Sequence, residues 1–259
     1  MNRPARKLST RFTRKGALIE ETYAAFQHWD LSMTFRKNIE RIQEENLIGA
    51  PNEKWLHEIA VTLSSRFGDH PFIAPLVLMA QGHVPLFTWK PCLLWHVGMI
   101  DALYYRFVTE WLFPRFQEGA YVLRTEDALD FVRHITDGKI ASGGKLSEYG
   151  ALRAARDLLK MACDFDLLEG KVKRKFATRH IPQEAFLYVL RGLMDMGLTT
   201  SQAIASLDWR LFLMDADDVE REILTLHQYQ ILQYHVAGSI VQLTLSSPSL
   251  EAYAKELAS

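Results

Sequence analysis

The chain has 259 residues, 48% of them apolar and 24% charged, with 30 Lys and Arg against 31 Asp and Glu for a formal net charge of -1. These values fit one or two folded domains and exclude a disordered chain or a uniformly basic polyanion binder. Affinity for nucleic acid must then come from how the charge is distributed.

The distribution is uneven from the start. MNRPARKLSTRFTRK carries Arg3, Arg6, Lys7, Arg11, Arg14 and Lys15 without an acid, and no apolar run of signal-peptide length follows it. Residues 1–15 read as a flexible basic arm, or as an untethered terminus with no role. Helical spacing begins with Leu18, Ile19, Tyr23 and Phe26 and resumes with Phe35, Ile39 and Ile42. GAPNEKW interrupts it, and Asn52 is the expected N-cap of a helix whose stripe is Trp55 or Leu56, Ile59, Leu63 and Phe67. The block Cys92 to Trp111 is apolar on most sides and is expected to be the central helix, ended by Pro114 and Gly119. A helix over 126–136 capped by Thr125 follows. Two runs poor in charge, 70–89 and 223–250, are broken by Pro, Gly, Gln and His and are expected to be buried, not to span a membrane.

DGKIASGGKLS, with three glycines, marks the expected boundary between a helical domain at 16–140 and a second at 145–259. Ser147 is the expected N-cap of a helix with Leu152, Ala155, Leu158, Leu159 and Ala162 along one stripe. Arg153 and Arg156 lie on its opposite side, free to extend a DNA face or to sit in solvent beside Glu148 and Asp157. Next comes LLEGKVKRKFATRH. As a strand it would put Lys171, Lys173 and Lys175 in one row and Val172, Arg174, Phe176 and Thr178 in the other, with Val172 and Phe176 as anchors. Three lysines standing out together suit a basic wing facing phosphates, although a solvated charged face has the same composition. Helices are then expected after Pro182 up to Gly197, over 199–206 and over 217–227. Tyr234 to Leu245 mixes β-branched residues with Gly238 and is the expected partner of the basic strand. The fold class is therefore mainly α, in two helical domains, the C-terminal one carrying a small β-ribbon in a winged-helix-like order.

No catalytic constellation emerges. Gly138 and Gly144 are separated by five residues and Leu146 follows Lys145, which is not a phosphate loop. Glu169 and Lys171 form an ExK pair, but Asp164 and Asp166 are too close in sequence to supply a carboxylate from another strand. The nine histidines give no HExxH, the acids at Asp215, Asp217, Asp218 and Glu220 lack the glycine and distal Glu of a calcium loop, and no GxSxG occurs. Cys92 and Cys163 are isolated, lie in apolar helical patterns and fit buried free thiols in a reducing cytoplasm. The chain is not expected to be an enzyme or to hold a metal or cofactor.

SEYGALRAARDLLKMACDFDLLEG, FLYVL, DWRLFLM, DVEREILTLHQ and AGSIVQLTL resemble the BrxA family, small helical proteins of the bacteriophage exclusion (BREX) defence systems. The resemblance covers about Ser147 to Ala254, with the N-terminal helices alike only in order and length. It implies a cytoplasmic, non-enzymatic accessory component that binds double-stranded DNA. Lys171, Lys173, Arg174, Lys175 and Arg179 are the positions it implicates, and less securely Arg11, Arg14 and Lys15. Two alternatives stay open. One is a scaffold docking a larger BREX subunit through aromatics around Trp89, Trp95 and Trp111, residues that otherwise belong to a core. The other is an RNA-binding protein. A two-fold dimer would double the basic surface, but nothing in the sequence demands one.

Overall fold

The computed structural model describes residues 8–10, 13, 15–68, 70, 72–137, 146–178, 181–238 and 240–259. The N-terminal part is a succession of helices: α1 (Ile19–Gln27), α2 (Phe35–Glu45), α3 (Glu53–Phe67), α4 (Ala74–Gln81) and α5 (Leu86–Ile100). Asn52 caps α3 as expected, its side chain accepting from the Trp55 N–H at 2.9 Å. The buried stripe of α3 is Leu56, Ile59, Leu63 and Phe67, the periodic set read from the sequence.

The expected central helix exists but is broken. Asp101 turns extended between α5 and α6 (Ala102–Arg106), and its Oδ1 accepts from the N–H groups of Leu103 and Tyr104 at 2.9 and 3.0 Å. A buried carboxylate that caps a helix start competes with continued α-helix at that point. A wide π turn over Phe107–Leu112 leads on to α7 (Phe113–Gln117). Thr125 caps nothing with its side chain: a 3-10 turn at Glu126–Ala128 precedes α8 (Leu129–Thr136).

The expected boundary falls largely on 138–145, outside the described residues. Beyond it lie α9 (Glu148–Asp164), β1 (Leu168–Glu169), β2 (Lys175–Phe176), α10 (Gln183–Asp195) and α11 (Thr200–Ile204), then α12 (Ala216–Gln228), β3 (Gln233–Ala237), β4 (Ile240–Thr244) and α13 (Leu250–Leu257). Ser147 caps α9 by accepting from the Gly150 N–H at 3.1 Å. The fold is thus mainly α with two small antiparallel ribbons. The expected pairing of the basic segment with Tyr234 to Leu245 does not form. β2 pairs with β1, and β3 pairs with β4 across a turn at Gly238 (φ +61°). Each hairpin closes with its nearest neighbour in sequence, which costs the least loop entropy.

The two sides of the boundary share one hydrophobic core. Trp89, Trp95 and Trp111 are all buried in it, so none is available as a docking surface. At the crossing of α5 and α10, a Cβ on Gly192 would lie 2.1 Å from Cη2 of Trp95, so only glycine admits this approach. The Trp95 indole donates to Asp208 at 2.9 Å, and the Tyr105 hydroxyl donates to the same buried carboxylate at 3.0 Å. A second polar link joins α5 and α10. The Phe72 N–H faces Nδ1 of His70 at 3.3 Å, His70 Nε2 lies 3.0 Å from His96 Nδ1, and His96 Nε2 lies 2.8 Å from the Tyr188 hydroxyl. Because the backbone N–H can only donate, His70 carries its proton on Nε2 and donates to His96, which donates in turn to Tyr188. No helix of the described residues is long and apolar enough to cross a membrane.

Candidate nucleic-acid interface

The basic run does not form the long strand its alternation predicts. Only Lys175 and Phe176 are strand, with Glu169 opposite Lys175 and Leu168 opposite Phe176, and 171–173 form the bend of a tight hairpin. Gly170 makes the bend possible. Its φ is +105°, and a Cβ there would sit 2.3 Å from the Lys173 carbonyl oxygen. Lys171, Lys173 and Lys175 are exposed, as the row requires. Val172 is no anchor: it is 78% exposed at the tip. Phe176 does anchor, edge-on to Phe116 at 5.2 Å between ring centres.

Arg174 is placed differently from the expectation that it faces phosphate. It is 6% exposed, and its backbone bridges to Leu123 through two hydrogen bonds, of 2.8 and 2.9 Å. Its guanidinium lies against the Cys163 thiol, while Nε and Nη1 meet no acceptor among the described residues. Alternation itself directs residue 174 inward, in the row of Phe176 and opposite that of Lys173 and Lys175. Burial pushes the Cys163 thiol up and the guanidinium pulls it down, with burial the larger effect. Cys163 is a half-buried thiol, not the fully buried one expected.

The Leu123 bridge brings in residues that the sequence did not point to. Antiparallel pairing of Leu123 with Arg174 sets exposed Arg124 beside Lys173. Lys175 Nζ lies over the Tyr121 ring at 4.9 Å, and Tyr121 is itself 75% exposed.

Helix α9 adds a row of its own. Arg153 and Arg156 are exposed, as expected, opposite the buried Ala155, Leu158, Leu159 and Ala162, with Leu152 half-buried. Tyr149 and Lys160 share their face at i, i+4, i+7 and i+11, making a ridge about 16 Å long at 1.5 Å per residue. Arg153 makes a long contact of 3.8 Å with Asp157, and Lys160 pairs with Asp164 at 2.8 Å, whereas Arg156 has no ion-pair partner among the described residues. Tyr149 and Lys160 were legible in that spacing. Arg124 and Tyr121 were not, because their place depends on a bridge between residues some fifty positions apart.

The helix, the hairpin and the root of the arm meet at one end of α9. The Cys163 thiol faces the Gly170 carbonyl at 3.6 Å, and Asp164 accepts from the Ala17 N–H at 2.9 Å. Buried Arg66 holds the same root, donating to the carbonyls of Ala17 at 2.6 Å and of Gly16. Burial pulls its guanidinium down to about 10 against the opposing pull of Asp101, Asp164 and Glu21. Lys15 pairs with Glu58 at 3.1 Å and approaches Trp55 at 5.6 Å, on the rim of a groove of about 580 Å³. Arg11, Arg14 and Arg179 lie outside the described residues. The exposed cations fall in two groups, Arg153, Arg156 and Lys160 along α9 and Lys171, Lys173, Lys175 and Arg124 at the hairpin that follows it. Separate cations of this kind can bind an anionic polymer along its backbone.

Neither the curated proteins nor the solved structures gave a match to the chain. The family model of BrxA matches residues 6–191, taking in the N-terminal helices that resembled the family only in order and length. That span is well over half of the 259 residues, and the chain belongs to the BrxA family.

Proposed function

We propose that this BrxA-family chain is a non-enzymatic, double-stranded DNA-binding component of BREX phage defence, acting in the cytoplasm and holding DNA mainly by its phosphates. Membership of the family carries the defence association. The observation that supports DNA binding is the exposure of Arg153, Arg156 and Lys160 along one side of α9 and of Lys171, Lys173, Lys175 and Arg124 at the hairpin that follows it. Five of these, Arg124, Arg156, Lys171, Lys173 and Lys175, have no ion-pair partner among the described residues. Neutralising about five phosphates gives a slope of log affinity against log salt of roughly -4 to -5, and a dissociation constant in the micromolar range at physiological salt.

B-form DNA is favoured over RNA by size. A helix with its side chains is about 10–12 Å across and fits the B-form major groove of about 12 Å, whereas the A-form major groove is too narrow for side chains to read. The test is fluorescence anisotropy of a labelled DNA duplex, the matching single strand and the matching RNA duplex over a salt series. The reading expects the DNA duplex to bind best with the slope above. Absence of duplex binding at low salt, or tighter binding of RNA, contradicts it. The first result would favour a scaffold that docks another BREX subunit, and its surface would be the groove flanked by exposed Leu86 and Phe87, not the buried tryptophans.

A further inference from the structure

We infer that the tip of the β1–β2 hairpin enters the minor groove of the duplex, with Val172 as an apolar wedge between two phosphate-facing lysines. The inference rests on the DNA-binding reading above and adds to it which groove is used and what the tip discriminates.

Val172, at 78%, is the most exposed large apolar side chain among the described residues. It is flanked by exposed Lys171 and Lys173. Its exposure is built in. Gly170 closes the turn tightly against the Lys173 carbonyl, Arg174 is buried behind the tip, and Phe176 is held by Phe116. A tip so fixed presents Val172 in one place without further ordering on binding.

Valine has neither donor nor acceptor, so it gains nothing from the hydrogen-bonding code of the major groove except contact with a thymine methyl. In the minor groove it gains contact with the sugar walls and the groove floor, as apolar wedges do in proteins that bind there. Size agrees: paired strands lie about 4.8 Å apart, so a hairpin tip met edge-on suits a groove about 6 Å wide. Connectivity agrees as well, since α9 ends at Asp164 and the hairpin begins at Leu168. With α9 in the major groove, the hairpin reaches over one phosphate backbone into the neighbouring minor groove, and Lys171 and Lys173 fall beside the phosphates.

What separates the grooves is the guanine 2-amino group, which protrudes into the minor groove floor. An inosine–cytosine pair lacks that group and also lacks the thymine methyl. Affinities of the full chain and of Val172→Ser are measured by anisotropy for alternating A·T, I·C and G·C duplexes at one salt concentration. The expected result is that A·T and I·C bind alike and G·C at least about 5-fold more weakly. Val172→Ser then reduces the preference to under about 2-fold while its melting temperature and salt slope stay those of the parent. If I·C binds like G·C, the tip meets thymine methyls or no base at all, and the inference is overturned. It is overturned too if Val172→Ser keeps the full preference. If no duplex binds at low salt, the DNA-binding reading falls and the tip assignment with it.

Discussion

Replacing Arg174 by methionine separates what its residue type implies from what its position imposes. A cation in the middle of KVKRK is expected to face phosphate, yet Arg174 is 6% exposed with Nε and Nη1 lacking an acceptor among the described residues. An unsatisfied buried donor costs about 1–3 kcal/mol, and the contact with Cys163 offsets part of that. Methionine keeps an unbranched stem of similar reach, and the backbone bridge to Leu123 does not depend on the side chain. Arg174→Met should therefore be neutral or stabilise by about 1 kcal/mol, a rise in melting temperature of about 2–4 °C in a chain of this size. The salt slope of duplex binding should not change. Calorimetry and anisotropy on the same preparation give both numbers. A slope shallower by about 0.9 at unchanged melting temperature would mean that Arg174 reaches a phosphate after all. A melting temperature lower by more than about 5 °C would mean that its charge holds the hairpin.

Gly192→Ala should lower stability by about 1–3 kcal/mol, since the new methyl meets the Trp95 ring at 2.1 Å, and combining it with Trp95→Phe should cost less than the two single changes summed, as read by chemical denaturation. The buried imidazole of His70 is pulled down to about 4 by burial, so between about pH 6.5 and pH 4 the unfolded chain binds the proton that the folded one refuses. Stability should thus fall as pH drops through that window, by up to about 3 kcal/mol from this residue, and the fall should be smaller in His70→Gln when urea midpoints are compared at pH 7, 6, 5 and 4. Asp101, pushed up to about 7 by burial, acts with the opposite sign, losing stability as pH rises from about 4 to 7, so the difference between the two proteins is the quantity to read. Arg156→Gln should make the salt slope shallower by about 0.9 without moving the melting temperature, and Arg153→Gln, which also removes the long contact with Asp157, should do so less cleanly.

Much of the helical framework was legible because it is local. The caps at Asn52 and Ser147, the stripe of α3 and the buried side of α9 all follow from spacing within one or two turns. The break at Asp101 was hidden because an aspartate inside an apolar run looks like an isolated exception until its carboxylate is seen to cap the following turn. Strand pairing was the weakest part. Alternation over Leu167 to His180 presumed an extended segment, and Gly170 with its positive φ turned it into a hairpin tip, which exposed Val172, whereas Arg174 stayed in the inward row of Phe176. For the site, the exposed lysines and the arginines of α9 were readable from charge and period. The contributions of Tyr121 and Arg124 required the contact between Leu123 and Arg174, which no local pattern encodes.

The central claim is that the cations of the hairpin hold duplex DNA. It is tested most directly by the salt dependence of duplex binding for the intact chain beside Lys171→Gln, Lys173→Gln and Lys175→Gln made together. All three side chains are exposed, and neutral glutamine sets no like charge opposite Glu169, so the fold should tolerate the change. Binding weaker by an order of magnitude or more, with a slope shallower by about 3 at unchanged melting temperature, is the predicted result. Equal affinity and equal slope in the two proteins would contradict it and leave the hairpin as a solvated charged face.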